Sequence, residues 1–452
     1  MRRCVLERIL KAFATLIRVL TFGRLKYSRQ VEGNARYMGL GEKLWWGYKF
    51  FGNPIREPQK NKGIREHFEK NSPDGFWNAK ARSDGTGGLP SVSLPPSELP
   101  SAGLPSTGFP SLTIGFAGDI LPCSPFPTTP SPHLSMVIDF FTKADINCAN
   151  LESPVLATRP LCIPPEDITA PPLMNNSPEA LTYLLQATGS APATRSASEP
   201  GITVFSTANN HSLDQGVEGV LATLDLLDEM GVKHVGTARS SAERDELLLL
   251  DVADFRIAFL SWTFSLNSQC LPDGQEYLAN TLRLNLPGVD ISTIASQVQE
   301  ARQRGADAVV LFLHWGLEDE AFPLASQIET AHRLARCGVD IICGNHPHAL
   351  QPAERYVWFE ENRSGACDGT CDDGCSEGNV KPRDDVSDNS LLHECLIMYA
   401  LGDFLTPQPW LGMSARSATM EVTLIRLPDN RVVIYNTLWE EHLNSDHTSP
   451  QP

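Results

Sequence analysis

Ile202-Thr-Val-Phe-Ser-Thr-Ala-Asn-Asn-His-Ser-Leu-Asp-Gln-Gly216 is an apolar, β-branched run that turns polar at its end and then opens into a patterned helix. Asn209, Asn210, His211 and Asp214 place two carboxamides, an imidazole and a carboxylate between a strand and a helix. Such groups lose water when a fold packs around them, so they need partners. A metal ion or a bound substrate would supply one.

Four other stretches have the same build. They are Leu112-Thr-Ile-Gly-Phe-Ala-Gly-Asp119, Ile146-Asn-Cys-Ala-Asn-Leu-Glu152, Ala308-Val-Val-Leu-Phe-Leu-His-Trp-Gly-Leu-Glu318 and Val339-Asp-Ile-Ile-Cys-Gly-Asn-His-Pro-His348. In open α/β sheets ligands bind beyond the carboxyl ends of the strands, so one shared site is the economical reading. Between these runs, from 112 to about 437, strand and helix patterns alternate, the signature of a layered α/β fold. Helices are predicted near 132–143, 178–188, 216–230, 292–304 and 324–337. In the third, Val217, Val220, Leu221, Leu224 and Leu227 share a face and Gly231 supplies a stop. Further strands are predicted at 247–252, 256–261, 395–401, 418–426 and 431–438.

Composition narrows the function. At 452 residues, with 41% hydrophobic and 20% charged residues, the chain reads as a soluble globular protein able to bury a large core. A formal charge of −17 argues against nucleic acid as a partner, since phosphate binding relies on basic surface. The same charge requires metal ions or local Arg and Lys wherever a polyanionic substrate binds. The 11 cysteines are odd in number and scattered, which suits a reducing compartment better than a disulfide framework. No apolar run approaches the roughly 20 residues of a spanning helix, and no clear secretion signal is present. The expectation is a cytoplasmic protein, with membrane association left to its N-terminal region.

That region, 1–86, is basic, amphipathic and aromatic-rich. Val5, Leu6, Ile9, Leu10, Phe13, Leu16, Ile17 and Leu20 fall on one helical arc, with Glu7, Arg8, Lys11 and Arg18 opposite. Residues 1–26 are therefore expected to contact a membrane surface, a protein partner or the domain itself, or to act as an organelle transit signal. Aromatics over 40–78, Phe68 among them, predict a segment that packs on some surface. Residues 87–111 repeat Leu-Pro or Phe-Pro every fifth position and read as an extended linker. The main domain is set at 112–440 and a flexible tail at 441–452. Within the domain, 361–390 is an acidic insertion whose Cys367, Cys371 and Cys375 suit disorder better than a metal site.

His346-Pro347-His348 puts two imidazoles on one side of an extended strand or across a tight turn, within reach of one ion or two adjacent ions. His314 ends a separate apolar run, and Asp119 follows Gly118, whose bare backbone permits close approach. Imidazole and oxygen donors without thiolates favour Mn, Fe or Zn and do not distinguish among them. Two such divalent ions would lower the pKa of a bridging water and polarise the bond it attacks. The general acid or base would be His211, Asp214 or Glu318. A single strand-end histidine is more often a satisfied hydrogen-bond partner; five polar strand ends built alike argue for a common purpose.

Gly118-Asp119, Asn150-Leu-Glu152, Ala208-Asn-Asn-His-Ser-Leu-Asp-Gln-Gly216, His314-Trp-Gly-Leu-Glu318, Gly344-Asn-His-Pro-His-Ala-Leu-Gln-Pro352 and Tyr399-Ala-Leu-Gly-Asp-Phe404 together resemble the ordered motif set of the CapA family of capsule and poly-γ-glutamate synthesis proteins. The resemblance implies a fold similar to calcineurin-like metallophosphoesterases, a four-layer αββα sandwich with a dinuclear site between strand ends. It implies Asp119, Glu152, Asn210, His314, His346 and His348 as metal ligands and His211 as the acid. It further implies a metal-dependent hydrolase or transferase acting on a γ-glutamyl or related amide, with a small-molecule or polyglutamate-type substrate. A phosphoesterase using the same centre and a non-catalytic accessory protein of polyglutamate assembly are the alternatives. Leu121 stands where the phosphoesterases have a histidine, Asn345 where the family usually has His, and Asp403 where it usually has Asn.

Overall fold

The computed structural model describes residues 62–71, 109–121, 139–140, 143–163, 173–187, 201–267, 269–318, 320–359, 392–405 and 416–443. The amphipathic segment 1–26, nearly all of the proline-rich stretch, most of the helix expected at 132–143, the insertion 361–390 and most of the tail lie outside these residues.

Two sheets face each other. The first runs β15 (Val432–Leu443), β14 (Arg416–Arg426), β1 (Ser111–Ile120), β2 (Ile146–Leu151), β5 (Ile202–Ser206), β6 (Lys233–Val235), with β13 (Asp403–Leu405) alongside the end of β1. The second runs β11 (Ala353–Phe359), β12 (Leu392–Met398), β10 (Ile341–Asn345), β9 (Ala308–His314), β8 (Phe255–Thr263), β7 (Leu248–Val252). A separate short pair joins β3 (Cys162–Ile163) to β4 (Leu173–Met174). Strands β1, β2, β5 and β6 are mutually parallel, as are β8, β9, β10 and β12. Their carboxyl ends therefore gather at a common edge in each sheet.

Strand β9 shows why the chain forms four layers. Ala308, Val310 and Phe312 face the other sheet, while Val309, Leu311 and Leu313 face helices. Successive side chains of a strand point to opposite faces, so an unbroken apolar run can be buried on both. Phe312 stacks on Phe259 of its own sheet and meets Phe116 of the other at 6.4 Å. Outside the second sheet, Ile294 and Val298 of α5 (Ser292–Gln303) and Ala331 and Leu334 of α6 (Ala325–Arg336) complete the core. Outside the first, Leu181 and Leu184 of α2 (Pro178–Ala187) pack with Leu227 of α3 (Gly216–Glu229) against Ala149 and Phe205. Gly231 lies at φ 67° just past α3, the left-handed conformation that suits a helix stop. The short helix α4 (Ser241–Asp245) leads into β7. The order of layers, helix, sheet, sheet, helix, is the αββα sandwich.

Earlier in the chain, α1 (Lys62–Asn71) buries Phe68 completely against the second sheet's helical face, next to Tyr399 and Phe322. The surface on which Phe68 packs is thus the α6–β11 flank, while the other aromatics of 40–78 lie outside the described residues. No helix among the described residues is long and apolar enough to cross a membrane. Cys148, Cys270, Cys337, Cys343 and Cys395 are free thiols.

Candidate metal centre

Each parallel strand hands its polar residues to the edge where the two sheets meet. Asp119 is the next-to-last residue of β1, Glu152 follows β2, Asn209 to Asp214 follow β5, His314 ends β9, and His346 and His348 follow β10. Pairing registers Asp119 with Asn150 in one sheet and His314 with Asn345 in the other. The sheets are tied together here, since Asp119 Oδ2 accepts from the His346 backbone N–H at 3.1 Å and the Ser206 and Ser261 hydroxyls lie 2.9 Å apart.

All six side chains expected as ligands converge. His314 Nε2 lies 2.9 Å from Asn210 Oδ1 and 3.5 Å from Glu152 Oε1. His348 Nε2 is 3.7 Å from the same Glu152 oxygen, and its Nδ1 is 3.8 Å from Asp119 Oδ2. Ligand atoms of Glu152, His314 and His346 lie within 4.8 Å of one another, as do those of Asp119, His348 and Asp403, and of Glu318, His346 and His348. Glu318, expected as an acid or base, is therefore on the ligand side of the site, beside the two histidines.

His211 and Asp214 sit together on the remaining side. His211 Nδ1 is 2.5 Å from Asp214 Oδ2, and the same oxygen accepts from the Met174 backbone N–H at 2.6 Å. The loop that carries them is internally bonded. Ser212 Oγ donates to Thr207 O at 2.7 Å and accepts from Asn209 N–H at 2.8 Å, while Asn209 Nδ2 donates to Leu151 O at 2.7 Å. The two carboxamides thus divide, Asn209 bracing the loop and Asn210, the expected ligand, facing the centre.

Three contributors went unassigned in the sequence. Asp403 enters through β13, pairs in register with Asp119, and lies 2.7 Å from His348 Nδ1. Asn150 Nδ2 donates to Asp119 Oδ1 at 2.8 Å and sits 3.3 Å from His314 Nδ1. Phe264 walls the site, its ring 4.6 Å from that of His346. Asp403 stood in a quoted motif, and its carboxylate was the available signal; Phe264 lies in a loop with no motif.

The histidine pair falls outside β10, which stops at Asn345. His346 has φ 96° and His348 φ 53°, so the chain makes the tight turn and not the extended alternative. Left-handed backbone at a non-glycine residue costs on the order of 1–3 kcal/mol and persists where the surroundings hold it, as at binding sites. Close by, a Cβ on Gly118 would lie 1.8 Å from the Gly402 carbonyl oxygen, and one on Gly344 would lie 1.9 Å from that of Tyr399. The approach that Gly118 permits is therefore that of the 399–403 backbone.

The electrostatics fit a divalent cation. Glu152 is fully buried, and neither of its oxygens has a hydrogen bond among the described residues. Burial, with Asp119 next, pushes its carboxyl well above the ordinary range. Burial also raises Asp119, to about 6, against the pull of His348 and with the push of Asp403. Burial and the neighbouring His346 hold His314 well below its usual value, leaving a neutral ring with a lone pair to offer. Burial opposes protonation of His348, but Glu152 and Asp403 outweigh it and raise the ring well above the usual range. A pocket of crowded carboxylates that retains protons is one in which a cation can replace them.

Residues 113–408 match the family described as "Bacterial capsule synthesis protein PGA_cap". The chain is 26% identical over 254 residues to the capsule biosynthesis protein CapA of Bacillus anthracis, covering 56% of this chain and 50% of that one. It is 33% identical over 158 residues to the PGA biosynthesis protein CapA of Bacillus subtilis (strain 168), covering 34% and 39%. The chain therefore spans about half the length, or less, of these relatives. A solved structure described as a novel phosphatase from Mycoplasma pneumoniae aligns over 74% of this chain and 95% of its own at 8% identity, with a TM-score of 0.37, too low to bear on the chemistry.

Proposed function

The chain belongs to the bacterial capsule synthesis protein PGA_cap family, and from that premise we propose that it is a metal-dependent hydrolase or transferase acting on γ-glutamyl amide bonds in polyglutamate synthesis or processing. The observation that carries this reading is the Glu152 carboxyl, buried with no hydrogen bond among the described residues and faced by two imidazoles at 3.5 and 3.7 Å. A buried carboxyl that holds its proton for want of partners is one whose proton a cation can displace. Asp119, Glu152, Asn210, His314, His346 and His348 would hold one or two divalent ions of the Mn, Fe or Zn class, with Asp403 and Glu318 adjacent. Bound there, such an ion supplies Lewis-acid polarisation and an acidified water.

The remaining work falls to the chain's own groups. Asp214 Oδ2 accepts from His211 Nδ1–H, which fixes the tautomer and leaves Nε2 to exchange a proton with a leaving amide nitrogen. Asp403 Oδ1 holds His348 through Nδ1, so that Nε2 faces Glu152. Asn150 orients Asp119, and the Phe264 ring keeps water from one side of His346.

The test is metal content and turnover of γ-glutamyl peptides by protein purified without chelator. His348→Ala should lose both metal and turnover. His211→Ala should keep metal and lose about 100- to 10,000-fold in kcat, the usual share of general acid–base catalysis. Full activity in both variants would overturn the assignment. Preferential turnover of phosphomonoesters would transfer the same site to phosphate, and metal-free protein at every stage would leave an accessory role.

A further inference from the structure

Away from this centre, α1 brings a second set of ligand-type side chains onto the outer face of the second sheet. His67 Nε2 lies 2.6 Å from Glu354 Oε2, and His332 of α6 reaches the other carboxylate oxygen, Oε1. All three ligand atoms lie within 4.8 Å of one another. Glu354 is 1% exposed on β11, whereas both histidines are half-buried. The His332 ring stacks on Tyr356 at 3.9 Å, which orients it toward the carboxylate. One turn past His67, the Asn71 amide is 3.2 Å from His67 Nδ1. The contacting atom is Asn71 Nδ2, which donates to Nδ1 and leaves the proton on Nε2 toward Glu354. An ion at the site would take the place of that proton, with the Asn71 amide turned so that its oxygen accepts from Nδ1–H, the outer contact that ligating histidines usually carry.

We propose that His67, His332 and Glu354 form a second metal site, which binds a single zinc-class divalent cation and fastens α1 to the α6–β11 flank. Two imidazoles and one carboxylate are a donor set that zinc accepts and that magnesium and calcium, which prefer oxygen alone, do not. Burial acts to raise the Glu354 carboxyl, but hydrogen bonds from His332 and His67 hold it below its ordinary range, so it is anionic at neutral pH. The anchoring of α1 does not rest on these polar contacts alone. Phe68 is fully buried and meets the Tyr399 ring edge-on at 5.4 Å, which sets His67 in place whether or not an ion is bound. His67 also lies outside residues 113–408, so the family match does not supply this site.

The test uses the full chain equilibrated with zinc and then dialysed, its metal counted by elemental analysis. Wild type should retain one more zinc per chain than His67→Gln or His332→Gln. A glutamine amide can still donate to Glu354, so these variants keep the hydrogen bond and lose the ligand. His348→Ala, which strikes the other centre, should keep the ion in question. With zinc at roughly a hundred times its dissociation constant, undocking is suppressed about a hundredfold, so chelation should speed tryptic cleavage at Lys70 by up to that factor in wild type and not in the glutamine variants. Equal zinc content in wild type and both glutamine variants would overturn the proposal. So would cleavage at Lys70 that ignores chelator, which would leave the fastening to hydrogen bonds and apolar packing.

Discussion

Asp119 accepts hydrogen bonds from Asn150 and from the His346 backbone while sharing its surroundings with Asp403 and His348. Burial raises its carboxyl from 3.8 to about 6, so the folded chain holds this proton more tightly than the unfolded one. A carboxyl raised by folding adds stability at low pH and loses it as pH climbs through the folded value. The stability of Asp119→Asn relative to wild type should therefore rise between about pH 4 and pH 8 in the metal-free chain, by up to about 3 kcal/mol, on top of a pH-independent cost for the acceptor that the amide nitrogen removes. Urea denaturation with chelator at the two pH values reads this directly. With metal added the sign should reverse, because the variant has lost a ligand. At this scale much was legible, since Asp, Glu, Asn and His at the ends of apolar runs announce themselves. Asp403 was not assigned because only the β13–β1 pairing brings it beside Asp119. Asn150 was not assigned a role because its partner at 119 is set by strand register, which no local pattern encodes.

Among the elements, the decisive contacts are between backbones. Strand β1 and the 399–403 segment approach so closely at Gly118 that a methyl group would fall 1.8 Å from Gly402 O. Gly118→Ala must push that segment away and with it Asp403, which holds His348. We expect a loss of about 3 kcal/mol or more, in the range of large core disruptions, and weaker metal retention in the same variant. Denaturant midpoint and elemental analysis check the two parts. The long strands and helices of the domain could be read from periodicity, with ends displaced by a few residues. Strand β11 could not, because adjacent Glu354 and Arg355 hide its alternation; Glu354 is buried only because two histidines meet it. The two- and three-residue strands β3, β4, β6 and β13 are too short to leave any period. The turn at 346–348 was one of two open readings, and its left-handed angles come from the contacts that hold it.

For the molecule as a whole, the site is shared between two sheets, so the packing between them sets its geometry. Phe312 stands at that interface, fully buried between Phe259 and Phe116. Phe312→Ala should cost about 3–5 kcal/mol, the transfer term plus a cavity. Because one sheet carries Asp119, Glu152 and Asn210 and the other His314, His346 and His348, the variant should also bind metal more weakly while every ligand is intact. Urea denaturation and a metal titration on the same preparation test whether the two losses travel together.

By itself the amino-acid order determined the layered α/β class, the strands that carry donors, and the chemical type of those donors. Each of these is written locally, in runs of apolar residues a few positions long and in the polar groups that end them. Tertiary structure alone decided which donors face one another, that Asn209 braces the loop, that Asp403 joins the centre, and that His67 meets residues more than 260 positions away. Those outcomes depend on sheet register and on the stacking of one sheet over another, and both are set by the summed burial of many side chains and not by any one stretch.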